Sequence, residues 1–372
     1  MNFDLAEEQK MLADQVRGLL AEQSSPDRLR HLVDTGAEWD ESLWRTLSEL
    51  GFLGARISED YGGLGLGDLD LGVISEELGR AVAAVPFHAS IVCAADAIQH
   101  FGSAEQKEAW LPKLASGEVV GTLAHAEGLS GWWPATSQVR FEKGALTGMK
   151  APVGEGGVAG MAVVYCNYKS KSALALVDLT SDRVTRRKRA GFDHLRAQYA
   201  LEFDQAPASL LEASVENEAG VRALIDRMSV QAAFEAIGGA ESCVYMARDY
   251  AMDRQIFGRS LASYQAIKHK LADILVATEF ARSNAFFAGW ASDNSPEDLA
   301  VAAAAVRLSA VSAYEQAARE NLQIHGGIGY TFEADCHFHY RRERTLAITL
   351  GPRQYWADRL ISGISGTQTE AA

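Results

Sequence analysis

The chain has 372 residues, of which 48% are hydrophobic and 23% charged, enough for two or three structural units that share a core. Its 35 Lys and Arg against 49 Asp and Glu give a net charge of −14, which excludes nucleic acids and anionic membranes as general partners, because both require a positive surface. The four cysteines form no CxxC pair and are expected to be free thiols. Since we find no signal peptide and no apolar run long enough for a membrane span, we expect a cytoplasmic protein.

Residues 1–116 are predicted to form an N-terminal α-helical domain. Apolar residues recur at three- and four-residue spacing from Phe3 onward, which is typical of an amphipathic helix. A glycine-rich loop follows at 59–65, and a further helix is expected to begin near Asp68 or Asp70.

The texture of the sequence changes twice after this domain. Residues 117–213 contain short β-prone runs, such as 161–165 and 173–177, and are predicted to form a central β-domain. Residues 214–372 are predicted to form a C-terminal helical bundle. Its four Ala-rich helices are expected near 215–253, 265–291, 296–326 and 353–363.

Four segments carry patterns that are more specific than this layout. They are EDYGGLG at 59–65, FGSAEQK at 101–107, YAMDRQIFGRSLASYQAIKHKLAD at 250–273 and QIHGGIGYT at 323–331. In this order, and over nearly the whole chain, they resemble the signatures of the acyl-CoA dehydrogenase family of flavoproteins. That resemblance implies the family's fold, with an N-terminal helical domain, a central β-barrel domain and a C-terminal four-helix bundle.

The resemblance also implies FAD as the cofactor, an acyl-CoA as the substrate and an electron-transfer flavoprotein as the acceptor. Family members are usually tetramers in which one subunit's β-domain holds the flavin ring, while the neighbour's bundle contacts the diphosphate and adenine. An arginine fork suits phosphate oxygens, and a Gly-Gly turn lets backbone amides approach a cofactor. The residues at the positions of these neighbour contacts are Arg254, Gln255, Phe257, Tyr264, Gln265, Gln323, Ile324, His325, Gly326 and Gly327.

The family's catalytic carboxylate is missing at both of its positions. A base must lie close to the substrate α-carbon to remove a proton. One family position falls about nineteen residues after the Tyr-Thr pair, where this chain has Leu350. The other falls about twenty-six residues before Arg254, where it has Met228. Neither side chain can accept a proton.

The flavin cradle of the β-domain departs from the family pattern as well. The L-T-E-P-x-A-G-S-D loop reads HAEGLSGWW at 125–133, and the K-x-W-I-T/S-N strand reads KAPVGE at 150–155. Pro152 replaces the tryptophan and Gly154 the hydroxyl residue. We expect Trp132 and Trp133 to fill the vacated flavin pocket.

These departures affect the flavin contacts within the chain and spare the contacts to a neighbour. The leading hypothesis is therefore a subunit of an α2β2 heterotetramer that performs α,β-desaturation, with a homologous catalytic subunit as partner. Some such heteromers resemble this arrangement and act on steroid CoA thioesters. Two alternatives stay open: a homotetramer with a displaced base such as Glu235, with Glu241 and Glu343 as weaker candidates, or a flavin-free scaffold or regulatory homologue.

No metal site is predicted, because His325, Cys336, His337 and His339 match no familiar zinc spacing. Arg342 stands where the family has the acid of an Arg-Asp pair. We expect the basic run around it to serve a subunit interface.

Overall fold

The computed structural model describes residues 5–128 and 131–365, so Phe3 of the first predicted helix and the loop residues Leu129 and Ser130 lie outside the described residues. The chain forms two compact units. The helical unit comprises Met1–Arg30, Asp68–Ala83 and Ser229–Ala372, and the barrel unit comprises His31–Gly67 and Ala84–Met228.

The described helices and strands follow the predicted order of helices, strands and helices. The helices are α1 (Glu7–Gln23), α2 (Pro26–Thr35), α3 (Glu41–Glu49), α4 (Asp68–Arg80), α5 (Asp96–Phe101), α6 (Ala104–Ala115), α7 (Glu218–Asp253), α8 (Gln265–Asn294), α9 (Pro296–His325), α10 (Cys336–Thr349) and α11 (Arg353–Ser365), with a π-helix at His88–Ala95. The strands are β1 (Gly121–Ala124), β2 (Arg140–Glu142), β3 (Ala145–Gly154), β4 (Met161–Tyr168), β5 (Lys171–Asp178), β6 (Val184–Arg189), β7 (Gln198–Leu211), β8 (Gln255–Ile256) and β9 (Arg259–Ser260).

Five strands of the barrel unit close into a ring. Strand β4 pairs with β5, β5 with β7, β7 with β3 and β3 with β2, and β2 returns to β4 at the pair Arg140 and Asn167. Strand β1 joins β4 in parallel, and β6 joins β7. Strands β4 and β5 have runs of consecutive buried residues, so both of their faces are covered. The two β-prone runs at 161–165 and 173–177 are confirmed as strands.

Glycines bring two helices of the helical unit into close contact. A Cβ on Gly79 of α4 would lie 1.9 Å from the Glu235 carbonyl oxygen of α7, and a Cβ on Gly238 of α7 would lie 1.8 Å from that of Glu76. No other residue type fits at these positions without moving the backbone. In the same unit, α8, α10 and α11 pack against α9.

Helix α10 is missing from the predicted set of four bundle helices. Its buried face includes the polar residues His339, Arg342 and Glu343, so apolar spacing does not mark it as a helix. The fold of helical domain, central β-barrel and C-terminal helices is confirmed. The predicted domain boundaries at 116 and 213 divide the chain into consecutive segments, whereas each compact unit combines segments that are separate in the sequence. These boundaries therefore stay a prediction.

Candidate functional site

A short hairpin at the end of α7 carries the first group of predicted cofactor residues. Strands β8 and β9 pair through a turn formed by Phe257 and Gly258. Both turn residues have positive φ, 45° for Phe257 and 76° for Gly258, which strains a phenylalanine but not a glycine. The Phe257 side chain is 96% exposed. The hairpin therefore holds an aromatic ring away from the protein's own core.

Tyr264 closes this hairpin from the start of α8. Its hydroxyl donates to the Ile256 carbonyl oxygen at 3.2 Å, and the Arg259 guanidinium lies 3.8 Å from the centroid of its ring. Gln265, the first residue of α8, thus lies beside the hairpin and is exposed.

The second predicted group lies at the turn after α9. Gly326, with a φ of 65°, ends the helix, and its N–H donates to the Gln323 carbonyl oxygen. A Cβ placed on Gly326 or Gly327 would meet no atom within 4 Å. This stretch of backbone faces open space, so a ligand can approach it closely.

An aromatic stack joins the last turn of α7, which leads into the hairpin, to the turn after α9. The Tyr250 ring stacks on the His325 imidazole with a centroid distance of 4.1 Å, and Ile324 belongs to the apolar cluster at the end of α7. Burial lowers the pKa of His325, and its Nδ1 lies 2.9 Å from the Asn321 carbonyl oxygen. The hairpin–turn surface, defined as residues 254–265 and 323–327, is thus one continuous face of the helical unit.

Exposed side chains on the hairpin–turn surface, Arg254, Gln265 and Gln323 among them, have unused polar atoms. Within residues 5–128 and 131–365, the side chains of Arg254, Gln265 and Gln323 have no hydrogen-bond or ion-pair partner. An unpaired guanidinium and two amides on one face suit an anionic ligand that also accepts hydrogen bonds.

The two positions of the missing base are buried and apolar. Leu350 follows α10 and is 1% exposed, and its carbonyl oxygen accepts a bond from Trp356 Nε1 at 2.7 Å. Met228 of α7 is also 1% exposed, and its carbonyl oxygen lies 3.2 Å from His88 Nε2. Their side chains supply no group that can take up a proton.

Glu235 forms a buried ion pair with Arg342. Its Oε1 lies 3.0 Å from Arg342 Nη1, which also lies 3.4 Å from the Ala83 carbonyl oxygen. Arg342 is 1% exposed, so its own charge is used inside the helical unit, while a subunit-interface role for the rest of the basic run, Arg341 and Arg344, stays a prediction. The sequence marked Arg342 as unusual, because it stands at the family's acid position, but it did not identify Glu235 as the partner.

A buried lysine organises the family's flavin loop in the barrel unit. Lys150 is fully buried, and its Nζ lies 2.6 Å from Glu127 Oε1, 3.0 Å from Ser137 Oγ and 3.0 Å from the His125 carbonyl oxygen. Burial lowers the pKa of Lys150 to about 8, opposed by the Glu127 carboxylate. Ala126, at the position of the family's flavin-binding threonine, is buried and has no hydroxyl.

Four aromatic rings pack beside this lysine. Trp133 stacks on His125 and lies against Tyr165, with centroid distances of 5.0 Å in both cases, and Trp132 meets the edge of the His125 ring at 6.3 Å. Lys150 Nζ lies 5.2 Å from the Tyr165 centroid. Burial lowers the pKa of His125 to about 4, so this ring is neutral at physiological pH. We call His125, Trp132, Trp133 and Tyr165 the aromatic cluster.

Strand β3 is interrupted beside this cluster. Its pairing with β7 is regular from Thr147 to Lys150 and shifts register before Val153, where Pro152 has no N–H to donate. The carbonyl oxygen of Gly154 accepts a bond from Thr122 Oγ1 at 2.8 Å. Neither residue at the two replaced family positions offers a hydroxyl.

Cysteines, metal ligands and membrane-spanning helices were each considered in the sequence-based predictions, and the structure bears on all three. All four cysteines are free and buried, which confirms the expected thiols. In the part of the chain that the structure describes, no group of three His, Cys, Asp or Glu side chains is arranged to hold a metal ion. None of the described helices is both long and apolar enough to cross a bilayer.

Comparison with known proteins places the chain in a family. Residues 6–118 match the acyl-CoA dehydrogenase N-terminal domain, and residues 221–364 match the acyl-CoA dehydrogenase C-terminal domain. The chain therefore belongs to the acyl-CoA dehydrogenase family, whose members are FAD-dependent oxidoreductases acting on CH–CH bonds of acyl-CoA thioesters.

Relatives match this chain over nearly its whole length. Acyl-CoA dehydrogenase IpdE2 of Mycobacterium tuberculosis is 29% identical, covering 94% of this chain and 95% of its own. The ChsE4-ChsE5 complex of the same organism has a chain with a TM-score of 0.90 and 26% identity, covering 100% of both chains. A structure described as the Tcur3481-Tcur3483 steroid ACAD G363A variant has a TM-score of 0.88 and 28% identity, covering 97% of this chain and 98% of its own.

The residues present fit only part of the family's cofactor. The donors of the hairpin–turn surface fit a diphosphate and its attached nucleoside. The barrel residues do not fit a flavin ring, because Ala126, Pro152 and Gly154 offer it no hydroxyl and Trp133 lies in the family's flavin loop, packed on two other rings.

Proposed function

We propose that this chain is the base-lacking subunit of a heteromeric FAD-dependent acyl-CoA dehydrogenase. In an α2β2 assembly, a homologous subunit would carry the catalytic glutamate and hold the flavin ring, while the hairpin–turn surface of this chain contacts the rest of that FAD. The observation that carries the proposal is a contrast: Arg254, Gln265 and Gln323 are exposed and unpaired on that surface among the described residues, whereas Leu350 and Met228 are buried and apolar.

The residues of this chain have distinct tasks in the proposed assembly. FAD held in the complex would supply the acceptor for the hydride that leaves the β-carbon of the acyl-CoA. Arg254 neutralises diphosphate charge with its fork of donors, the amides around Gly326 and Gly327 approach the cofactor, and Phe257 offers an exposed ring for stacking. Gln265 and Gln323 supply side-chain amides. The proton of the α-carbon goes to the partner's carboxylate.

The substrate and acceptor are proposed from relatives. One similar structure is described as a steroid ACAD and another as a two-protein complex, so we propose a CoA thioester of a bulky, steroid-like acyl group. An electron-transfer flavoprotein is proposed as the acceptor, as the family resemblance implies.

Activity of a co-expressed complex tests which subunit supplies the base. The chain is expressed with a homologous subunit that carries the family's glutamate, and acyl-CoA oxidation is measured with an artificial electron acceptor. We expect no turnover by the chain alone, turnover by the pair, and loss of turnover when the partner's glutamate becomes glutamine.

Glu235 is the matched control for this experiment. Glu235→Gln in this chain is expected to leave turnover of the pair within about twofold, because its carboxylate is bound to Arg342. If that variant destabilises the fold, the double variant Glu235→Leu/Arg342→Leu removes both charges together. Turnover that disappears in the folded double variant would support the displaced-base alternative and contradict the proposal.

A second experiment tests the hairpin–turn surface. Arg254→Ala is expected to weaken FAD binding by the complex about tenfold or more, because a charge-assisted bond contributes roughly 1.5–3 kcal/mol. FAD affinity is measured by titrating the deflavinated complex. Arg222→Ala, an exposed arginine of helix α7 whose partner is Glu218, is the control and should leave the affinity unchanged. Equal affinities in both variants would remove Arg254 from the cofactor contact.

A further inference from the structure

We propose that Trp133 is a built-in occupant of the flavin-ring position of this barrel, held between His125 and Tyr165 so that the barrel is complete without flavin and closed to it. This inference deepens the proposed function, since it explains why only the partner's barrel would hold a ring. Its test uses this chain alone, so the two can fail separately.

The first step is the geometry of the stack. The Trp133 and His125 rings are inclined by 21° with centroids 5.0 Å apart, and the Tyr165 ring lies 5.0 Å away at an inclination of 43°. Trp132 meets the Trp133 ring edge-on at 6.2 Å. The stacked and edge-on contacts are preferred arrangements of aromatic pairs, so the indole of Trp133 lies among ring partners on several sides.

The second step is that the loop carrying Trp133 is fastened to the barrel. Glu127 N–H donates to the Gly131 carbonyl oxygen, Gly128 N–H to that of Ala151, and Ala151 N–H to that of Ala126, at 2.8, 2.8 and 2.9 Å. The Glu127 carboxylate also accepts the Gln138 N–H at 2.9 Å. These bonds hold residues 126–128 against strand β3 and fix Gly131, which immediately precedes the two tryptophans.

The third step is the buried charge beneath the cluster. Lys150 is satisfied by Glu127, Ser137 and the His125 carbonyl oxygen, and the Tyr165 ring lies next to its ammonium group. The His125 ring also contacts the Trp132 carbonyl oxygen through Nδ1. A ligand that displaced Trp133 would break the stack and disturb the hydrogen bonds of Lys150 and His125. Because these groups are buried, water could not replace the hydrogen bonds that they lose.

The fourth step is the replacement of flavin-binding groups by packing groups. Ala126, Pro152 and Gly154 carry no hydroxyl, and an unfilled pocket left at this place would destabilise the barrel. Trp133 fills it with a large apolar surface. The missing flavin-binding hydroxyl groups and the aromatic ring that fills their place are therefore two parts of the same difference from the family's barrel.

Thermal unfolding and flavin titration of the chain alone test this proposal. Trp133→Ala should lower Tm by several degrees or more and open a pocket that binds lumiflavin, the flavin ring without its nucleotide, at least tenfold more tightly than the parent chain does. Lumiflavin should restore part of the lost Tm, as aromatic ligands do in engineered cavities. Trp110→Ala, on helix α6 outside the cluster, controls for the loss of a tryptophan. It should neither increase the affinity for lumiflavin nor gain Tm when lumiflavin is added.

Two milder variants keep the test decisive if Trp133→Ala does not fold. Trp133→Phe retains an aromatic occupant and should still exclude lumiflavin, whereas Trp133→Leu should admit it. The proposal is overturned if the parent chain binds lumiflavin as tightly as the folded variants. The fluorescence of Trp133 is the part of the parent's tryptophan emission that Trp133→Phe lacks. The proposal is also overturned if the parent chain binds one FAD per chain and this emission is quenched.

Discussion

The Glu235–Arg342 pair shows how a single contact decides between two roles for a carboxylate. Glu235 lies seven residues after Met228 on α7, which made it the first candidate for a displaced base. Its carboxylate is instead bound to a guanidinium that is 1% exposed. A buried cation without its anion is far less stable than the pair. The ion pair therefore gives Glu235 a structural role, and no catalytic role is needed to explain this residue.

Breaking this pair from one side should cost more than removing it. Arg342→Met removes the guanidinium that binds the buried Glu235 carboxylate, and we expect the free energy of unfolding to fall by about 3–5 kcal/mol. Glu235→Leu combined with Arg342→Leu should recover most of that loss. Urea unfolding of the single and double variants measures the coupling. Additive losses in the double variant would contradict an interacting pair.

Glu343 should make stability depend on pH. Burial raises its pKa to about 7, opposed by Arg344; Glu315 on α9 raises it further, and the buried Cys243 of α7 also interacts with it. Its Oε2 bonds Arg344 Nε at 2.7 Å, while Oε1 has no hydrogen-bond partner among the described residues. Because the folded pKa exceeds the unfolded value, the stability that protonation contributes is complete below about pH 4.3 and is lost as the pH rises through 7.

The variant Glu343→Gln removes this titration. Between pH 5 and pH 8 the parent chain should lose about 2–3 kcal/mol of unfolding free energy relative to the variant. Urea midpoints of both proteins at the two pH values measure the difference. A difference that is constant between pH 5 and pH 8 would show that Glu343 titrates normally.

Among the elements, the β8–β9 hairpin accepts backbone strain that packing does not explain. Phe257 adopts a φ of 45° and yet buries almost none of its ring. Strain of this kind persists where another requirement selects the residue. Contact between the Phe257 ring and a ligand or partner subunit is such a requirement. Phe257 lies on the hairpin–turn surface, which is the proposed cofactor contact.

Phe257→Asn should separate stability from function. Asparagine adopts positive φ more readily, so the chain alone should gain up to about 1 kcal/mol, while the complex should bind FAD more weakly. Lys169→Asn relieves a positive φ of 52° in the β4–β5 hairpin and is the control, with a stability gain but unchanged FAD affinity. A Phe257→Asn complex with unchanged affinity would assign the strain to something other than the cofactor.

Across the whole molecule, the sequence predicted the order of helices and strands because apolar periodicity and turn residues are local. Helix α10 could not be predicted in this way, since its buried face holds charges whose partners, such as Glu235, lie more than a hundred residues away. The same limit applies to the site. The family patterns located residues 254–265 and 323–327, but the stack of Tyr250 on His325 that joins them is a tertiary contact.

The departures from the family pattern were also visible in the sequence, whereas their packing was not. Pro152 and Gly154 could be identified as replacements from the strand pattern alone. That Trp133 packs between His125 and Tyr165 depends on strand β4, which carries Tyr165 and follows the loop only after two further strands. Only the closed barrel brings these rings together.

The amount of flavin per chain tests the central claim most directly. The chain is purified alone and together with a homologous, glutamate-bearing subunit, and FAD is measured by absorbance against protein concentration. We predict a colourless chain alone and about one FAD for each pair of unlike subunits, because one barrel would hold the ring and the hairpin–turn surface of the other chain would contact it. One FAD per chain in the protein purified alone would contradict the account.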